Sequence, residues 1–479
     1  MKKIFIILLV LILTSGTGIL FGQGATTAEK LALAARLSEE FNRKKAEAVK
    51  IALEKGWPVR VEYQDGRVME IMEIGPNGFP EYNTTFNEDA AETTNTDDLW
   101  VGGSSGLNLT GSGFTIGEWD AGGVLTTHVE FRVGGGTSRV TQKDTPGSTH
   151  YHSTHVAGTM IAEGDAAGAQ GMASQANLHA YDWDDDVAEM LNANAIDNII
   201  LSNHSYGRTR GWSFDDYGTA WWFGDTTISG WEDYEFGFYG PLTKTWDSVA
   251  YVMPEYLIVK SAGNDRNDDH TGGHYVFNPL TGYGTWSTTP RDEDGGPDGY
   301  DCLGNQGVTK NGLTVGAVLD IPGGYTQPSD VDITEFSSYG PTDDGRIKPD
   351  IVANGYELYS CSNINTTYYE WLSGTSMSSP NVTGTLALLQ QYFYTLNSST
   401  YMMADELKAL TINCAQEAGS YDGPDYKFGW GLMDALAMAN AIRIDDSVGG
   451  IQIRRSTLTN TTDDEDEYVF YSDGSEPIR

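Results

Sequence analysis

The stretch from about residue 99 to 442 predicts an α/β fold, a three-layer arrangement with a mainly parallel central sheet flanked by helices. Short, mainly apolar runs recur at 114–119, 176–181, 199–201, 256–260 and 313–318, each bounded by Gly, Asn or Asp. Helical patterns lie between them, clearest at 187–196 and 381–396. Strands that alternate with helices imply βαβ units, and a parallel sheet needs cover on both faces. No internal repeat interrupts this alternation.

The flanking segments differ in character. Lys2 and Lys3 precede an apolar run, 4–13, and a stretch of mostly small residues, 14–24. That run is about half the ~20 residues a membrane-spanning helix needs. Residues 1–22 therefore read as a secretory signal, cleaved near Gly22–Gln23, which implies an extracellular mature chain without a membrane span. Residues 23–98 predict a small α+β unit followed by a linker. A helix runs from 27 to about 55 and ends at Gly56-Trp57-Pro58. Two strands, 59–63 and 68–73, are joined by an Asp65-Gly66 turn. The polar stretch 83–98, rich in Thr, Asn, Asp and Glu, reads as exposed linker.

The main region, 99–443, carries two interruptions. Residues 208–246 are crowded with aromatics, among them Trp212, Trp221, Trp222, Trp231 and Trp246, and are too long for an ordinary connection. Packing, a cleft wall and a glycan-binding surface are the readings open for them. Residues 292–301 form a Gly- and acid-rich loop. Beyond 443, strands at 451–454 and 468–471 around the acidic run 463–467 suggest the start of a C-terminal β domain, 444–479. Two strands cannot bury a core alone, so that domain is expected to dock or to be truncated.

With 67 acidic against 29 basic residues the formal net charge is −38. Nucleic acid and anionic membrane surfaces would be repelled and are excluded as partners. The three cysteines, Cys302, Cys361 and Cys414, make no disulfide framework. Cys302 and Cys361 lie in loop-like polar stretches and are the preferred pair, whereas Cys414 sits in an apolar helical segment and is expected to be buried.

Ser376 stands in Ser373-Gly374-Thr375-Ser376-Met377-Ser378-Ser379-Pro380, just before an amphipathic helical segment. Pro380 suits a first helical turn. A serine at that terminus gains the positive end of the helix dipole, and backbone N–H groups there can face a developing oxyanion. All eight histidines precede Ser376, so the Ser–acid–His order of the α/β-hydrolases is impossible. The candidate base is His152 in Thr149-His150-Tyr151-His152-Ser153-Thr154-His155. No HExxH spacing is present, which speaks against a zinc site. Helical spacing puts His152 and His155 near one face, where one could work and the other be structural. The candidate acid, Asp120, ends a strand and precedes Gly122-Gly123, a good position for a crevice above the sheet.

These blocks, in the order Asp, His, Ser, resemble the subtilases. Asp120-Ala121-Gly122 with His128 resembles their acid block, His152 to Thr159 their histidine block, and Gly374 to Pro380 their nucleophile block. Ser261-Ala262-Gly263-Asn264 resembles the segment bearing their oxyanion asparagine. Ser202-Asn203-His204-Ser205-Tyr206-Gly207 and the Trp-rich insertion place the chain nearest a secreted bacterial branch. Two departures stand out: Ser153 where glycine is usual, and Ala121 where a hydroxyl residue is common.

The resemblance implies a secreted serine endopeptidase acting on protein or peptide substrates as a monomer. Ser376 would be the nucleophile, His152 the base, Asp120 the orienting acid and Asn264 the oxyanion donor. Ser205, Tyr206, Gly207, Ser261, Ala262 and Gly263 would flank the pocket for the residue before the scissile bond. No cofactor is needed for the chemistry. Structural Ca²⁺, which subtilases often bind, would suit the acidic loops 182–186 and 292–301. The N-terminal unit could be a removable pro-segment. The alternative is a catalytically silent homologue serving as an extracellular binding module.

Overall fold

Strand β4 (Thr115–Asp120) shows why both faces of the sheet are dry. Ile116 packs into one buried cluster and Trp119, of opposite parity, into another. The computed structural model describes residues 25–62, 68–74, 80–85, 91–166, 168–215, 217–277, 284–450, 453–454 and 456. The expected signal, the Asp65-Gly66 turn and nearly all of the expected C-terminal strands lie outside the described residues.

On one side of β4 lie β6 (Asn177–Asp182) and, at the edge, β5 (Val140–Gln142). On the other side come β7 (Leu201–His204), β11 (Leu257–Ser261), β14 (Leu313–Val318) and β15 (Ile351–Asn354). Every pairing in this seven-stranded sheet is parallel. The chain leaves β4 for β5 and then β6 on one side and returns to β7 on the other. The sheet order therefore reverses at β4, and a crevice opens at its carboxyl end, where Asp120 sits.

Helices α2 (Tyr151–Ile161), α5 (Thr375–Leu396), α6 (Ala404–Asn413) and α7 (Ala435–Ser447) contribute to the larger apolar cluster on one face. Helices α3 (Asp186–Asp197) and α4 (Pro241–Val252) cover the other. Among the described residues no helix is long and apolar enough to cross a membrane.

The N-terminal unit comprises α1 (Thr27–Lys55), β1 (Arg60–Glu62), β2 (Val68–Ile74) and β3 (Pro80–Thr85). A reciprocal cap starts α1: Thr26 N–H donates to Glu29 Oε2 at 2.8 Å and Glu29 N–H to Thr26 Oγ1 at 3.3 Å. Gly56, with φ of 72°, ends it in the left-handed conformation that glycine tolerates best. α1 lies along α3, and its buried residues are small or snorkelling ones, Ala34, Ala48, Ala52 and Lys30. The hairpin extends beyond expectation, because β3 pairs with β2 and then with β8 (Tyr206–Arg208) of the main region.

The expected linker is therefore part strand and part core. Thr93, Thr94 and Thr96 are fully buried. Thr96 shares a hydrogen bond with Thr385 at 2.7 Å, and Thr94 donates to Asn381 at 3.2 Å, both on α5. Threonine hydroxyls matched by polar groups of a facing helix can be buried at little cost, so polarity misled the reading of exposure.

Much of the aromatic insertion is packing. Strands β9 (Trp212–Phe214) and β10 (Ala220–Trp222) join β12 (His274–Phe277) and β13 (Gly284–Ser287) in a four-stranded sheet. Trp212 and Trp222 meet edge to face within it and are buried, as is Trp246 of α4, while Trp231 is exposed. The expected Cys302–Cys361 disulfide is absent, and all three cysteines are free. Cys302 lies buried beneath the Tyr339 backbone, and Cys361 lies on β16 (Leu358–Cys361), which pairs with β17 (Tyr369–Leu372). Cys414 is only half-buried.

Candidate active site

Asp120 is the last residue of β4, and His152 stands in the first turn of α2. Their side chains meet: His152 Nδ1 lies 2.6 Å from Asp120 Oδ1. An ionised carboxylate can only accept, so Nδ1 carries the proton and Nε2 is left as an acceptor. Asp120 Oδ1 also receives the Ala121 N–H at 2.7 Å and the Ser153 hydroxyl at 3.1 Å. The hydroxyl missing at Ala121 is thus supplied by Ser153 from α2. Both departures from the subtilase pattern act on the same oxygen.

His155, one turn further along α2, is the structural histidine. Its Nε2–H donates to the Leu358 carbonyl on β16 at 3.2 Å. Burial is the main reason that its pKa falls to about 3, so the ring stays neutral. Gly158 lets α2 sit close to β16, since a Cβ there would fall 2.2 Å from Ser360 Oγ.

Helix α5 begins earlier than Pro380 suggested. Thr375 is its first residue and Ser376 its second, so Pro380 lies inside the helix. A proline has no N–H to give to the carbonyl four residues back. That carbonyl belongs to Ser376, and it accepts the Ser205 hydroxyl at 2.8 Å instead. In return the Ser376 hydroxyl donates to the Ser205 carbonyl at 3.0 Å. The interior proline thus frees the carbonyl that ties Ser376 to Ser205. Helices α2 and α5 pack together, which places His152 and Ser376 at the same end of the sheet.

Asn264 follows β11 after Gly263, whose φ of 116° favours glycine. Asn264 Oδ1 accepts both the backbone N–H and the hydroxyl of Thr375, each at 2.9 Å. That arrangement holds the Asn264 amide beside the start of α5. Tyr206, Gly207, Ser261, Ala262 and Gly263 line one small cavity, as the sequence led us to expect. Ser205 belongs instead to the clasp on Ser376. Lys260, also lining the cavity, is buried, donates to Ser261 O and Oγ, and has its pKa pushed down to about 7 chiefly by that burial.

Sequence reading missed Glu118, two residues before Asp120. It is fully buried and neither carboxyl oxygen has a hydrogen-bond partner. Burial first, and the Asp120 charge second, hold it well above the usual carboxylate range.

Several carboxylates of the two acidic loops are engaged by protein partners. Asp184 pairs with Lys45, Asp185 accepts from Ser38 and Asp186 accepts from Tyr206. Asp294 accepts the Trp212 N–H at 2.8 Å, and the Asp292 carbonyl takes the Trp212 indole N–H at 2.9 Å. Among the described residues no group of three or more His, Cys, Asp or Glu side chains could hold a metal ion.

Known proteins resemble this chain to different extents. The chain is 26% identical to the serine protease AprX of Bacillus subtilis over 328 residues, which cover 64% of this chain and 62% of AprX. It is 38% identical to pyrolysin of Pyrococcus furiosus over 109 residues, 19% of this chain but 8% of pyrolysin. The matched region thus spans less than two thirds of either relative. The structure of the Clostridium perfringens CspB protease superposes with a TM-score of 0.51 at 16% identity, covering 74% of this chain and 99% of that one. At that identity the likeness concerns the fold. The model of the subtilase family matches residues 111–431, a span that holds Asp120, His152, Asn264 and Ser376 together with the parallel sheet. With more than half of its length matched, the chain belongs to the subtilase family.

Proposed function

We propose that this protein is a secreted serine endopeptidase that hydrolyses peptide bonds through an acyl-enzyme on Ser376. The observation that carries the reading is the Asp120–His152 hydrogen bond, set beside a serine at the N-terminus of α5 and the Asn264 amide. Ser376 Oγ turns from the Ser205 carbonyl, gives its proton to His152 Nε2 and bonds to the peptide carbonyl carbon. Asp120 holds the ring in the required tautomer and stabilises the imidazolium. Asn264 Nδ2 and the Ser376 N–H receive the negative oxygen. The C–N bond then breaks as His152 protonates the leaving amine, and water repeats the sequence to release the acid.

We infer further that the N-terminal unit is a pro-segment that covers the site. An extended peptide substrate would add to the edge of β8 as a strand. That edge is held by β3, with Asn83 opposite Arg208, Thr84 opposite Gly207 and Thr85 opposite Tyr206. The next residue of β8's approach is Ser205, which touches Ser376. Asp120, His152 and Ser376 are all fully buried, which supports the reading of a covered site.

Hydrolysis of casein by the secreted protein, with and without a sulfonyl fluoride, tests the peptidase reading. Activity should be blocked by the reagent, and Ser376→Ala should lose about 10⁶ in kcat, the loss known for a subtilisin nucleophile. Full activity in Ser376→Ala would overturn the assignment.

A further inference from the structure

Glu118 and Asp120 have the same parity on β4, so their side chains leave the same face of the sheet, about 6–7 Å apart along the strand. That face packs against α2 and α5, as Ile116 on the same parity confirms. Glu118 is fully buried there, yet both its carboxyl oxygens lack a partner. Asp120 accepts through only one of its two carboxyl oxygens. Oδ1 takes three donors, from His152, Ser153 and Ala121, while Oδ2 is buried and takes none. Two adjoining orphaned acceptors would be a costly arrangement if both carboxyls were ionised. A single proton resolves it.

Among the described residues, the charge that acts on Glu118 is that of Asp120. The register neighbours of Glu118 are Ala180 on β6 and Asn203 on β7. Asn203 Oδ1 is taken by Ser379 and Thr383 of α5, and its Nδ2 donates to Ser205. From α2 the titratable groups are His152, bonded to Asp120, and His155, bonded to the Leu358 carbonyl. The Asp120 charge opposes ionisation of Glu118.

We propose that Glu118 is a positioning residue of the site: carried as the neutral acid, it gives its O–H to the free Oδ2 of Asp120 and holds that carboxylate against the His152 ring. This rests on the reading of Asp120 and His152 as acid and base. Hydrogen bonds of a catalytic centre are often long until substrate is bound. A neutral acid beside Asp120 orients it without adding a second negative charge. Buried carboxylic acids kept neutral so that they can donate are an established device in other enzymes.

Glu118→Leu and Glu118→Gln separate this role from packing. In Glu118→Leu, kcat should fall about tenfold with KM little changed. The acid limb of the kcat/KM profile should move up by about half a pH unit, because an Asp120 that has lost a donor stabilises imidazolium more strongly. Glu118→Gln, whose amide can donate to Oδ2, should recover most of the rate and the original acid limb. Equal losses in both variants, or an acid limb unmoved in Glu118→Leu, would overturn the proposal. So would a downward shift in Glu118→Gln, which would mean that an ionised carboxylate had been removed. The His152 titration read by NMR of labelled imidazole in a Ser376→Ala background needs no turnover. The same shifts there, together with a failure of the released protein with Ser376 intact to cleave casein, would leave Glu118's role standing and sink only the peptidase reading.

Discussion

Ser153 and Ser205 show how single hydroxyls organise the site. Ser153 adds a donor to Asp120 Oδ1, and Ser205 exchanges two hydrogen bonds with Ser376. Ser153→Ala should lower kcat several-fold at constant KM, and steady-state kinetics on a peptide substrate reads the change. An unchanged kcat would show that the Ala121 N–H and His152 suffice to hold Asp120. Asn264→Ala should cost ~10²–10³ in kcat, a figure itself measured on a subtilisin. Asp120, His152, Asn264 and Ser376 were legible in the sequence because each stands in a local block whose order along the chain excludes rival folds. Glu118 was not legible. In a parallel sheet both faces are buried, so its strand reads as one apolar run in which parity has no outward sign. Pro380 misplaced the start of α5 because the Ser376 carbonyl it leaves unpaired is satisfied by Ser205, 171 positions before Ser376.

At the level of elements, α1 and β3 do what their composition conceals. α1 is predominantly polar, and the stretch 83–98 is rich in Thr, Asn and acids, which suggested an exposed linker. Instead Lys30 donates to Asn194 at 2.6 Å and pairs with Glu255, Lys45 pairs with Asp184, and Arg60 reaches the Ala121 carbonyl at 3.0 Å. The Lys30 pair is largely buried, so removing one partner leaves the others short of hydrogen bonds. Lys30→Ala should therefore shorten the lag before casein activity appears in freshly secreted protein. An unchanged lag would show that α1 does not limit release of the unit. N-terminal sequencing of active protein should find a new terminus within residues 86–91. Material that is active with α1 still attached would contradict the pro-segment reading. The helix, the hairpin and the central strands were recovered from periodicity and turn chemistry. The pairing of β3 with β8 was not, because nothing local marks which sheet edge a strand will join.

Across the whole molecule, acidity shapes stability as well as solubility. Around α3 burial pushes Asp182 up to about 7, Asp185 and Asp186 up to about 6, and Glu189 up to about 9. These acids hold a proton more tightly when folded than when unfolded. Their contribution is therefore complete below about pH 4 and is lost as pH rises through 6 to 9. The net charge of −38 adds self-repulsion in the same direction. The melting temperature should fall between pH 5 and pH 8, as calorimetry on the Ser376→Ala precursor can establish, and a rise over that range would contradict these assignments. The most direct test of the central claim is peptide mapping after treatment with a fluorophosphonate, applied to protein whose N-terminal unit has been released. A single phosphonylated residue, Ser376, absent from a His152→Ala variant, is the expected result. Casein hydrolysis by protein whose Ser376 stays unmodified under the same treatment would contradict it.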